Sequence, residues 1–242
     1  MKFIIILTIL FSSCNNARHE EKKLNTPILD TIQKPMSDTT RKDILQEIDV
    51  SIRSGFYNKE EIFENVEEYL YDIPFDHKWT ENQIDKAYSN RLKEQSTWPA
   101  VTDFDRLVKA FDKLNESGIV ALHKAGMTKQ DGEGDSNEIH EDLLKEGIRT
   151  KGFCYYHWQD VARVIDDSHL YIGFGDLNNN DREALAIGKQ VASTLERYGF
   201  KLNWDKTLET RIQITNINWQ KRFGNEFCSY ERAEKLLSHF KN

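Results

Sequence analysis

Gly118 divides this sequence into two stretches with different apolar rhythms. Ahead of it, apolar residues recur every three or four positions, the spacing of one face of a helix. Ile44, Ile48 and Ile52 form a first stripe that Gly55 stops; Ile62, Val66 and Leu70 form a second, entered through Asn58 with Glu61 three places on. Thr80 and Gln83 are spaced as a capping box ahead of Ile84, Tyr88 and Leu92, and Trp98 with Pro99 then breaks the chain. Thr102 opens a fourth helix that carries Leu107, Phe111 and Leu114. Beyond Gly118 short apolar runs alternate with helical stripes. Ile119 to Leu122, Phe153 to Tyr156, Leu170 to Phe174, Phe200 to Trp204 and Arg211 to Ile217 read as strands. Residues 135–146, 158–165, 181–198 and 229–240 read as helices. No proline follows Pro99, so nothing argues for a second linker. The expectation is a mixed α/β single domain over residues 41–242: a helical N-terminal half, then a four- to five-stranded mixed sheet with flanking helices.

The amino terminus follows a different logic. Lys2 precedes the uncharged run Phe3 to Phe11, which is far shorter than the roughly 20 residues a membrane-spanning helix needs. A positive residue, a short apolar run and then small residues make a secretory signal. Here Ser12 and Ser13 are followed at once by Cys14, the arrangement of a bacterial lipoprotein signal over residues 1–13 with Cys14 as the lipidated residue. Phe11 is bulkier than the aliphatic usual at its position, and a plain cleaved signal beside an incidental cysteine is the alternative. Two lipid attachments suffice for stable anchoring. Residues 14–40 are polar, carry Pro27 and Pro35, and read as a tether. The address that follows is the bacterial cell envelope, lipid-anchored on its periplasmic or surface side.

Composition limits the function classes. With 11% aromatic residues the chain has material for a packed core. Its net charge of −7, with no clustered Lys or Arg stripe, argues against nucleic acid as a partner.

Seven segments occur in order between Ser54 and Ile214: SGFYNKEEI, VEEYLYD, WPAVTDFDRL, GIVALHKAGMTKQDG, GFCYYHWQD, LYIGFGDL and GFKLNWDKTLETRIQI. Together they resemble a bacterial family of the DUF6891 type, classed only as a domain of unknown function. The resemblance implies one intact domain. It brings no activity, cofactor or catalytic residue.

The richest chemistry lies in Cys154, His157 and Asp160, with a thiol, an imidazole and a carboxylate within seven residues. Such a group suits a transition metal or a Cys/His nucleophile pair. No CxxC or HxxxH spacing supplies further ligands, and a half-buried cysteine beside a helix-capping histidine is the plainer account. His123 ends the first strand, His157 follows the second and Asp176 the third. Ligands of α/β sheets lie beyond the carboxyl ends of strands, so parallel strands would gather His123, His157 and Asp176 at one edge as a catalytic trio. Three satisfied polar residues at strand ends are the plainer alternative. Two acidic stretches have calcium-loop spacing: Asp176, Asn178 and Asn180, and Asp131, Glu133 and Asp135. Both lack glycine at the sixth position, and both read better as solvated turns. Gly173 and Gly175 lack the rest of a dinucleotide motif, and neither GxSxG nor HExxH occurs. No cofactor or metal is assigned. Cys154 and Cys228, the thiols left after lipidation, would be able to pair in an oxidising compartment. The five tryptophans serve packing unless a subset is exposed together.

Three functions fit these features: a membrane-anchored, non-catalytic module that binds a protein partner, of inhibitor or immunity type; a hydrolase using His123, His157 and Asp176, with or without a metal; and a small-ligand sensor in the same cleft. The incomplete catalytic signatures and the acidic surface favour the first.

Overall fold

The computed structural model describes residues 36–178, 180–224 and 226–240. The leader, Cys14 and the tether up to residue 35 lie outside the described residues.

Helices begin where a short polar side chain meets free backbone amides. Ser37 accepts the Thr40 N–H at 3.0 Å and starts α1 (Asp38–Ser54), three residues inside the stretch read as tether. Asn58 and Glu61 cap each other across the first turn of α2 (Lys59–Leu70). Asp76 opens α3 (His77–Gln95) by accepting the Trp79 N–H at 2.9 Å, ahead of the Thr80 start expected from spacing. Thr102 and Asp105 form the capping box of α4 (Asp103–Glu116). Such caps are worth about 1 kcal/mol each. Ile44, Ile48 and Ile52 meet Ile62, Val66, Leu70 and Ile84 in a separate apolar cluster that joins α1, α2 and α3.

The second half is a five-stranded mixed sheet of β1 (Ile119–Leu122), β2 (Gly152–Tyr155), β3 (Leu170–Gly175), β4 (Lys201–Asn203) and β5 (Ile212–Thr215), in the spatial order β1-β2-β3-β5-β4. β1 and β2 run parallel across the crossover helix α5 (Lys129–Lys145). β3 is antiparallel to β2, β5 to β3, and β4 to β5. α6 (Trp158–Asp167), α7 (Asp181–Arg197) and α8 (Tyr230–Leu237) complete the described elements. Side chains alternate between the faces of the sheet. Ile119, Ala121, Cys154, Tyr156, Ile172 and Ile214 pack with α4, α6 and α7, while Val120, Leu122, Phe153 and Tyr155 pack with α5 and α8.

α5 starts well ahead of the expected residue 135. Thr128 and Asp131 form its capping box and draw the acidic, glycine-containing stretch read as a turn into the helix. Gly132 lies under the Tyr155 ring, where a Cβ would come within 2.4 Å of it. β1 is an edge strand, and Asn115 covers its open side: the amide donates to Ala121 O at 3.0 Å and accepts Ala121 N–H at 2.8 Å. One buried side chain thus stands in for a neighbouring strand.

Candidate ligand pocket at the strand ends

The three residues expected to form a catalytic trio are not brought together. His123 follows β1 on the α4 face. Its Nδ1 is 2.9 Å from the Tyr156 hydroxyl, and its ring stacks on Phe111 at 4.4 Å between centroids. Burial, reinforced by Lys221 and Arg232, pushes its pKa down to about 3, so the imidazole is neutral. Its Nε2 is buried without a hydrogen-bond partner in either tautomer.

His157 lies on the opposite face of the sheet, beside Tyr155. Its Nε2 is 3.2 Å from Asp160 Oδ2 and 3.3 Å from Arg211 Nη1. Asp160 is fully buried and also receives Arg211 at 2.9 Å, Arg163 at 3.3 Å and the His157 N–H at 3.2 Å. Both guanidinium groups lie over the Tyr171 ring, at 5.2 and 5.1 Å. Burial lowers the His157 pKa, Asp160 pulling it back and the two arginines pushing it further down. The cluster is an ion clamp between α6 and β5. His157 stands at the N-cap of α6, where its backbone N–H and its ring Nε2 both lie 3.2 Å from the Asp160 carboxylate.

Asp176 lies elsewhere again. Because β3 runs antiparallel, pairing Gly175 with Phe153, Asp176 emerges beside the start of β2, at the other end of the sheet from His123 and His157. Its carboxylate accepts Asn178 N–H at 2.7 Å and Asn180 N–H at 3.0 Å, closing the turn before α7. The expected gathering at one edge therefore fails on strand direction. Cys154 is a free thiol sealed in the core, and burial pushes its pKa up, so it makes no nucleophile pair with a histidine on the other face. Among the described residues, no group of three or more His, Cys, Asp or Glu side chains is placed to hold a metal ion. No helix among them is long and apolar enough to cross a membrane.

The carboxyl ends of β1 and β2, the two parallel strands, do open onto a pocket of about 450 Å³. Phe56 and Tyr57 enter it from the turn after α1, Lys124 from the residue after His123, Trp158 from the first position of α6, and Tyr230 from the start of α8. Gly55 makes the first approach feasible: its φ is +76°, and a Cβ would stand 2.5 Å from the Lys221 carbonyl. Lys124 is a half-buried lysine held at φ +50°, in the left-handed region. Its ammonium donates to the Tyr57 hydroxyl at 3.2 Å and lies 4.4, 5.3 and 5.9 Å from the ring centroids of Tyr57, Phe56 and Trp158. Desolvation lowers its pKa, with Glu61 and Cys228 pulling upward. Tyr57, in turn, is pushed up to about 12 by burial and by Glu47, Glu61 and Glu68. Behind Phe56, the buried Lys221 ammonium donates to the carbonyls of Gly55 and Gly224 at 2.8 and 2.6 Å, and desolvation lowers its pKa to about 8. Sequence reasoning reached His123 and stopped one residue short of Lys124, whose partner Tyr57 is 67 positions away.

No curated protein and no solved structure matches this chain. The family model described as Domain of unknown function (DUF6891) matches residues 37–223, from the N-cap of α1 through β5. That span takes in the sheet, α1 to α7 and the Phe56, Tyr57, Lys124 and Trp158 walls of the pocket, and on it this chain belongs to the DUF6891 family.

Proposed function

We propose that this chain is a non-catalytic binding module, held at the bacterial envelope through a lipidated Cys14, whose protein partner docks at the mouth of the strand-end pocket. The observation that carries the reading is the contrast between the pocket and the remaining polar groups. His123 is kept neutral and Cys154 sealed, His157 is absorbed in an ion clamp, and Asp176 closes a distant turn. The pocket, by contrast, offers aromatic surface and an ammonium that no carboxylate among the described residues pairs within ion-pair distance. Aromatic side chains of this kind anchor interfaces. The anchor rests on the leader motif alone, and the acidic surface suits a basic partner of inhibitor or immunity type. The alternative hydrolase on His123, His157 and Asp176 gains no support from their separation.

Affinity capture from envelope extracts at low ionic strength tests the proposal, with the full chain and its Trp158→Ala variant as baits. A protein retained saturably by the first and lost from the second is the expected outcome. Equal retention by both, no saturable partner, or hydrolysis of ester or amide substrates abolished by His123→Gln would overturn it.

A further inference from the structure

Lys124 stands in a position that folding alone does not reward. A side chain at φ +50° costs on the order of 1 kcal/mol, and a desolvated ammonium with no described carboxylate at ion-pair distance adds to that cost. The faces of Tyr57, Phe56 and Trp158 and the Tyr57 hydroxyl offset part of this. The pocket holds a second unsatisfied group, the buried Nε2 of His123, which is 7% exposed. Lys221, close behind, adds positive potential: it lowers the His123 pKa, and its own is lowered by Lys124. α8 starts at the pocket and turns its N-terminal end, the positive end of the helix dipole, toward it. The Lys124 ammonium, with Lys221 behind it, is the positive side of a pocket whose other charged wall residue is Asp135, and it marks a place for an anion.

The geometry points to a specific class: we propose that the strand-end pocket binds an aromatic carboxylate, with its carboxylate on the Lys124 ammonium and its ring against the Tyr57–Trp158 pair. The inference rests on the binding-module reading and names what that site recognises. Tyr57 and Trp158 meet edge to face at 5.3 Å, an arrangement a third ring extends. A volume of about 450 Å³ suits a compact acid rather than a folded segment. Asp135 also lines the pocket, and its carboxylate accepts the Tyr230 hydroxyl. Its charge disfavours a dianion such as a phosphate monoester and leaves room for a single negative charge. The same chemistry has two sources: a free small acid, or the terminal carboxylate of a partner polypeptide ending in an aromatic residue.

Calorimetric titration of the full chain with 3-phenylpropionate and with its uncharged amide tests the carboxylate. The peptide Gly-Gly-Phe and its C-terminal amide test the second source. Wild type is expected to bind at least one acid about tenfold or more tighter than its amide. Lys124→Asn removes the charge while keeping a residue that tolerates the left-handed backbone, and it should erase the preference. Lys124→Arg, which keeps the charge, should retain it. Preference confined to 3-phenylpropionate assigns a small molecule; preference shown by the peptide assigns a partner's terminus. Equal binding of acid and amide by wild type, an unchanged preference in Lys124→Asn, or no binding of any probe up to about 10 mM overturns the inference. If a captured partner still depends on Trp158 when the preference is absent, the carboxylate assignment fails and the binding-module reading stands.

Discussion

Two glycines two residues apart in sequence but different in surroundings give the sharpest test of the packing between α5 and the sheet. Gly132 and Gly134 both lie inside α5 with ordinary helical backbone, and replacing glycine by alanine in a helix interior gains about 1 kcal/mol. At Gly134, which is exposed, an added Cβ meets nothing within 4 Å. Gly134→Ala should therefore deliver close to the full gain, raising the melting temperature by about 2–4 °C in a domain of this size. At Gly132 the new carbon would lie 2.4 Å from two carbons of the Tyr155 ring. That ring is 1% exposed, stacks with Phe153, and is tethered by its hydroxyl to the Lys129 carbonyl at 3.0 Å. It has no free direction in which to yield, so α5 must lift from β2 by close to the overlap. Overpacking of this kind costs about 1–3 kcal/mol, more than the helical gain. Gly132→Ala is expected to be net destabilising by about 1–2 kcal/mol. Denaturant unfolding followed by circular dichroism measures both variants against wild type. Midpoints that move in the same direction would show that Tyr155 does not bear on Gly132, and with it would go the account of why a glycine-containing acidic stretch is helical here.

Four further outcomes are expected. The folded pKa of His123 is depressed to about 3 from 6.5, so its stabilisation is complete above pH 6.5 and drains away as the pH falls toward 3; wild type should lose about 2 kcal/mol more than His123→Phe between pH 7 and 5, and parallel pH profiles of unfolding would refute this. Asn115→Leu strands both the N–H and the C=O of Ala121 on the edge strand and should cost about 2–4 kcal/mol, whereas a loss under about 1 kcal/mol would mean that water or a rearranged chain replaces the amide. Asp160→Asn leaves the Arg163 and Arg211 guanidiniums facing an uncharged partner and should destabilise by about 2–3 kcal/mol, while Arg163→Ala, whose side chain is 44% exposed, should cost less than about 1 kcal/mol; equal losses would contradict the clamp. Cys14→Ser should release the protein from sedimented envelopes, and co-sedimentation equal to wild type would remove the proposed anchor.

Much of the fold is written in short-range patterns. The stripes of Ile44, Ile48 and Ile52 and of Leu107, Phe111 and Leu114 lie on buried helix faces, and the runs from Ile119 and Leu170 are strands, because period and burial are local properties. Strand direction is not local. The apolar run of β3 satisfies the sheet equally well in either sense; its direction follows from where α6 releases the chain, at Ser168 with φ +61°, and that places Asp176 at the far end. The start of α5 was hidden for a similar reason, since glycines at 132 and 134 read as a loop until the Tyr155 ring explains one of them. At the pocket, His123 was legible as a strand-end residue. Lys124 was not, because its significance comes from Tyr57 and Trp158 on other elements and from a backbone angle that no residue type announces.

The family match stops at Phe223, yet Cys228, Ser229 and Tyr230 wall the pocket from beyond it. Tyr230 begins α8, Ser229 caps it and Cys228 leads into it, and Arg232 fastens the helix to Asp112 of α4 through contacts of 3.0 and 2.7 Å. One short helix thus does two jobs: a change at Ser229 or Tyr230 alters what the cavity admits, whereas one at Ala233 or Leu237, buried against the sheet, disturbs the fold itself.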